Sequence, residues 1–199
     1  MPNTSATGGY LADVTPPAEG VALRRFIGEF LAGVSGLAGE LVRPAWQENP
    51  PPMPAYSVTW LAYGVTARRV ENGAPWQAER RDGSGGVLRL HEMLDVQLTA
   101  YGADAEALLA TVRDGCDVAQ NREQLFLAAV TVADFGDIIH APELINERWW
   151  NRADATLTLR REIRREYPIL HFVKAEGMIE ADGSTHIRRP WSAGTVVNP

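Results

Sequence analysis

From Ala153 to Arg164 apolar and polar residues alternate, with Ala153, Ala155, Leu157, Leu159 and Ile163 set against Asp154, Thr156, Thr158, Arg160, Glu162 and Arg164. A period of two places the first set on one face of an extended strand, and that face has to be covered by other parts of the chain. Leu88, Leu90, Leu94, Val96, Leu98 and Ala100 line one face of a second long strand. Glu92 is the only polar residue on that side, and Arg89, His91, Asp95, Gln97, Thr99 and Tyr101 hold the other. Apolar groups fall on both faces of the run from Tyr56 to Val70, which predicts a strand near the sheet centre. The economical arrangement makes these last two strands antiparallel, joined by a long loop over Glu71–Gly86 whose most flexible stretch is Arg80–Gly86.

Helical spacing supplies the cover. Leu23, Phe26, Ile27, Phe30, Leu31 and Val34 recur every three or four residues, which predicts a helix over Ala18–Val34 broken by Gly33 and Gly36. Asp104 is placed to cap a second helix whose buried face is Ala105, Leu108, Leu109, Val112 and Cys116. Asn121 is placed to cap a short third helix through Glu123, Leu125, Phe126 and Ala129. A strand-like segment follows over Val130–Ile139, interrupted at Gly136. Leu41–Pro44 suits a short edge strand, and Asn49–Pro54 an extended polyproline link, because proline removes a donor and fixes φ. The order α, β, β, α, α, β, β predicts an α+β fold: an antiparallel or mixed β-sheet packed against helices on one face. Residues 1–17 read as an extended N-terminal arm, 18–170 as the main domain, and 171–199 as a C-terminal extension with a hairpin at Asp182-Gly183.

Composition removes several function classes. The 199 residues are 45% apolar and carry a formal charge of −6, enough for one sizeable core and poorly suited to coating a nucleic-acid duplex. No apolar run approaches the roughly 18 residues of a membrane helix, and the first residues lack a signal peptide's basic and apolar regions, so the expectation is a cytosolic product with no membrane partner. The lone Cys116 excludes an intrachain disulfide and suits a small core position. Lys174 is the only lysine among 19 basic residues. Arginine favours planar contacts at fixed interfaces, although a GC-rich genome gives the same bias.

Catalytic and ligand motifs are absent or broken. His91-Glu92 begins a zinc-protease pattern, but Asp95 stands where the second histidine belongs, on a strand rather than a helix. Asp137, His140 and Glu143 are ligand-type residues at three-residue spacing, but Pro142 breaks the helix that would align them. They leave open one alternative, a small metal- or ligand-binding enzyme domain. Gly83-Ser84-Gly85-Gly86 lacks the lysine and the following helix of a phosphate loop. The expectation is therefore a protein with no catalytic residues, no cofactor and no metal.

The richest polar feature is the run Arg160 to Glu166. Arg160, Glu162, Arg164 and Glu166 share a strand face and alternate in sign, suiting either solvent or a neighbouring subunit. Arg148, Trp149, Trp150 and Arg152 just upstream are types enriched in interface anchors. Tyr10, Leu11 and Val14 are the anchors of an arm that otherwise lacks a core.

Four segments resemble the neck or tail terminator proteins of tailed bacteriophages, over roughly residues 3 to 170. They are Asn3–Leu11, Pro44-Ala45-Trp46-Gln47, Gln120-Asn121-Arg122 and His140–Trp149. The resemblance implies a virion structural protein with no catalytic residues to transfer, assembled in the host bacterial cytoplasm and placed at the neck. It implies a homo-oligomeric ring, usually a hexamer, that caps the tail tube protein and joins it to the head-completion or adaptor protein. Genome DNA would pass through the lumen without sequence-specific binding. Ring closure needs two different patches on each subunit. Tyr10, Leu11, Arg148, Trp149, Arg152, Arg160, Glu162 and Arg164 are the residues expected to make these contacts.

Overall fold

A computed structural model of the chain describes residues 3–71, 76–79, 85–169, 174–181 and 187–194. In chain order the elements are α1 (Val21–Ser35), a 3-10 turn (Gly39–Leu41), β1 (Val42–Pro44), β2 (Trp60–Val70), β3 (Trp76–Glu79) and β4 (Gly86–Tyr101). Then come α2 (Ala105–Cys116), α3 (Ala119–Leu127), β5 (Val130–Phe135), β6 (Ile139–His140), β7 (Glu143–Ile145), β8 (Arg148–Trp150), β9 (Arg152–Tyr167), β10 (Lys174–Ala181) and β11 (Ile187–Gly194). The fold is α+β, with a mixed sheet ordered β1-β2-β4-β9-β5, β3 added on β4 and β6 on β9. β1 pairs parallel with β2, and the β2–β4, β3–β4, β5–β9 and β6–β9 pairs are antiparallel. Contacts divide the chain into two units, residues 18–73 with 90–163, and residues 1–17 with 74–89 and 164–199.

In the larger unit the alternating strands turn one face to the helices. Leu61 and Tyr63 of β2, Leu94, Val96, Leu98 and Ala100 of β4, and Ala153, Ala155, Leu157 and Leu159 of β9 are all buried. They share one cluster with Leu23, Ile27 and Leu31 of α1 and Leu108, Leu109, Val112 and Cys116 of α2. Burial of this apolar face is what holds the helices on the sheet, at about 25 cal/mol per Å² removed from water. α1 stops at Gly36, whose φ of 69° lets its N–H turn back to Ala32 O. Gly28 is required by packing, since a Cβ there would collide with the phenol of Tyr63, which donates to Arg24 O at 2.9 Å. Cys116 sits in this core, and burial pushes its thiol up to about 11.

Glu92 is indeed the polar intruder on the apolar face, and it is buried with Arg161. Arg161 donates to Glu92 at 2.8 Å and to Glu19 at 2.7 Å, and Arg68 donates to the same two carboxylates at 2.9 Å each. Arg161 also donates to Ala18 O at 2.9 Å. Two acids and two guanidiniums thus close a neutral cluster, which offsets the cost of taking Glu92 and Arg161 out of water.

Three expectations need correction. The segment Glu71–Gly86 is not all loop: β3 pairs antiparallel with β4, Trp76 opposite Arg89 and Glu79 opposite Gly86. Of Arg80–Gly86, the stretch expected to be most flexible, residues 80–84 lie outside the described residues and Gly86 opens β4. Asn121 does not cap α3, which starts two residues earlier after Val118. Its amide donates to Gly115 O at 2.9 Å, adding a side-chain bond to a carbonyl at the end of α2 that Val118 N–H also reaches. Asp104 occupies the N-cap position of α2, but its side chain makes no cap hydrogen bond. The break at Gly136 is present, separating β5 from β6, and Gly136 N–H donates to Thr156 O.

In the smaller unit the arm lies along the end of its own β9. Val14 N–H donates to Glu166 O at 2.9 Å and Ser5 N–H to Pro168 O at 3.2 Å. Asp13 receives Glu166 N–H at 3.1 Å and Arg165 at 2.9 Å. Its carboxyl is held below the usual range: burial opposes ionisation, and bonds from Thr15 N–H, Glu166 N–H and Arg165 outweigh it. β10 and β11 form the expected C-terminal hairpin, with Gly177 opposite Trp191 and the indole lying where a side chain at 177 would be. Its Asp182-Gly183 turn lies outside the described residues.

Candidate interaction surface

The larger unit carries a small hairpin, β7–β8, running from Glu143 to Trp150. Ile145 pairs with Arg148, leaving Asn146 and Glu147 as a two-residue loop with φ of 47° and 64°. Positive φ at both positions is what a type I′ turn requires, and asparagine tolerates it well.

One face of the hairpin is fastened to its own unit. Trp150 is buried and meets Tyr56 edge-on, with centroids 5.2 Å apart. Arg148 lies over the same Tyr56 ring at 4.2 Å. Glu143 receives Arg152 at 3.0 Å and the Tyr101 hydroxyl at 3.1 Å, and Arg152 also holds Asp154 at 2.8 Å. Burial, with the Glu143 charge behind it, pushes the Tyr101 phenol up to about 12, so it remains a donor to that carboxylate. Tyr101 in turn stacks on Trp60 at 4.7 Å.

The other face is bare. Leu144 and Trp149 are direct cross-strand partners, and they are 56% and 64% exposed. Neighbouring apolar side chains left in water on a rigid support mark an association surface better than scattered ones do. Thus Trp149 is presented outward, whereas Arg148 and Arg152 act on the hairpin's own fastening.

The other candidate residues lie elsewhere. Arg160 donates to Glu71 at 2.6 Å, Glu162 lies 3.9 Å from His91 Nε2, and Arg164 reaches Glu166 at 2.8 Å. The ladder therefore has partners within the chain. Tyr10 is 97% exposed and Leu11 half-buried. The residues of the alternative reading are not brought together: Glu143 serves Arg152 and Tyr101, His140 pairs with Glu106 at 2.6 Å, and Asp137 is exposed. No group of three ligand-type side chains able to hold a metal exists among the described residues. No described helix is long and apolar enough to cross a membrane.

Sequence reasoning missed Tyr56, which organises the hairpin, and missed the hairpin itself. Asn146 between two apolar pairs was the available signal. Tyr56 gives none, because it sits behind the proline run as one aromatic among many.

These features define an α+β protein whose distinguishing chemistry is an apolar surface presented outward. The model of the phage neck terminator protein family matches residues 21–184, and the chain belongs to that family, whose members are structural. A search of curated proteins finds no match. The chain is thus a structural phage protein of the neck.

Proposed function

We propose that this protein assembles as a hexameric ring that caps the tail tube at the neck. The ring meets the tube protein on one side and the head-completion or adaptor protein on the other, and genome DNA passes through its lumen. It forms in the host cytoplasm and ends in the virion. The observation that carries this reading is the exposed Leu144–Trp149 pair on a hairpin fastened from behind. A surface already ordered before docking loses little conformational entropy when it docks. The acidic balance of the chain suits a passage that DNA traverses without adhering.

Tyr10 and Leu11, on the arm that lies along its own β9, reach a neighbouring protein, while Trp149 makes the subunit contact and Arg148 and Arg152 hold it in place. Arg160 and Glu162 of the larger unit, and Arg164 of the smaller one, make further charged contacts with neighbouring subunits. Light scattering of the protein after size exclusion tests the reading. Rings are expected for the native chain, and Arg160→Glu with Arg164→Glu is expected to abolish them. Unchanged oligomers in that variant would remove the charged ladder from the contact.

A further inference from the structure

We infer that the bare Leu144–Trp149 face of the β7–β8 hairpin is received by the β10–β11 hairpin of a second copy of this chain, on the side that carries Ile179 and Trp191. The inference rests on the ring reading and adds the acceptor. A closed ring needs two unlike patches that fit one another, and β7–β8 supplies only one of them.

Register divides β10–β11 into two unlike faces. Gly177 is opposite Trp191 and Ile179 opposite Arg189, so these four lie on one side, whereas Glu176, Met178 and Glu180 alternate to the other with Pro190 and Ser192. The first side is an apolar platform, because the Trp191 indole lies across the space that Gly177 leaves. Trp191 and Ile179 are nonetheless 44% and 58% exposed. A two-stranded hairpin is marginal in water unless such a face is packed against something.

Charge selects what packs there. Among the described residues of this face the one formal charge is Arg189, which is exposed and forms no ion pair with another described residue. The outward side of β7–β8 also has one, Glu147 at the tip, exposed and likewise without an ion pair among the described residues. Either face meeting its own like would put two charges of one sign into a single contact. The unlike pairing joins opposite signs, and it is also the pairing that generates a ring.

The spacing agrees with the charges. Glu147 stands two residues before Trp149 and Arg189 two before Trp191, each on the connection side of its tryptophan, a rise of about 6–7 Å in extended chain. Laying Trp149 on Trp191 with both connections pointing the same way therefore sets the carboxylate beside the guanidinium. The exposed Phe126 and Leu127 at the end of α3 lack this selectivity, because Arg122 and Glu123 on the same helix offer both signs.

Engineered cysteines test the pairing, since Cys116 is buried and out of play. Under oxidation, Glu147→Cys with Arg189→Cys in one chain is expected to give a ladder of linked subunits on a non-reducing gel, and neither single variant is. A charge swap gives a second measurement. Glu147→Arg alone and Arg189→Glu alone are each expected to weaken association about tenfold, and the two together in one chain to restore most of it. Native rings accompanied by no ladder in the double cysteine variant, or by a swap that restores nothing, would overturn the hairpin pairing and leave the ring standing. Native protein that stays solitary both alone and on purified tail tubes would overturn the ring and this inference with it.

Discussion

The Glu92–Arg161 pair and the Leu144–Trp149 pair invert the usual rule in opposite directions. The first shuts ionised groups away from water, and the second leaves apolar groups in it. Both stand on strands whose remaining side chains follow the rule. The buried charges are answered within the chain, by Arg68 and Glu19, so that cluster is complete and its role is structural. Among the described residues nothing answers the exposed pair on its outward face, while its inward face is fastened through Tyr56, Arg152 and Tyr101. A completed inversion supports the fold, and an unanswered one points to association.

The largest expected effect comes from breaking the completed inversion. Arg161→Ala leaves Glu92 buried with one partner fewer and is expected to cost about 3–5 kcal/mol in urea unfolding. Arg161→Met with Glu92→Leu removes one charge of each sign and keeps Arg68 with Glu19, so it should be more stable than either single change. A double variant as unstable as Arg161→Ala would mean that the cluster contributes more than mutual neutralisation.

Next comes the core between the two pairs. Leu109→Ala or Leu157→Ala, each at a fully buried position, should cost about 2–5 kcal/mol by thermal or chemical unfolding.

Acid sharpens the comparison at intermediate size. Glu19 is held below the usual carboxylate range: burial opposes ionisation, and hydrogen bonds from Arg68 and Arg161 outweigh it. A depressed carboxyl contributes stability that is present above the unfolded-state value and lost as pH falls through its folded one. Unfolding free energy should therefore drop on acidification below the ordinary carboxylate range, and Glu19→Gln should flatten that slope. An unchanged slope would assign the acid sensitivity elsewhere.

The smallest effect on stability belongs to the unanswered pair. Leu144→Ser or Trp149→Ala should shift monomer stability by only about 0.5 kcal/mol, because each side chain is more than half exposed, yet remove association in light scattering. Loss of folding in these variants would place the pair among the supports of the fold instead.

Much of this was legible in the residues alone. The alternation in β4 and β9 and the helical spacing of Leu23, Ile27 and Leu31 or Leu108, Leu109 and Val112 gave the layers, because burial is periodic. Glu92 stood out as an intruder for the same reason, but its partners did not: Arg161 is 69 positions away and Arg68 is 24, and pairing over such distances follows from sheet register. Asn121 misled because its side chain serves the end of the preceding helix rather than the start of its own. β3 escaped because four residues inside a polar, glycine-rich stretch carry too short a period to read. Trp149 was singled out by its type, whereas its exposure depends on Tyr56 holding Trp150 beneath it, a contact that no spacing encodes.

The most direct measurement is electron imaging of the purified protein with its mass determined in solution. A closed six-membered ring with a central channel is the expected result. Solitary subunits, both free and in isolated necks, would contradict the account.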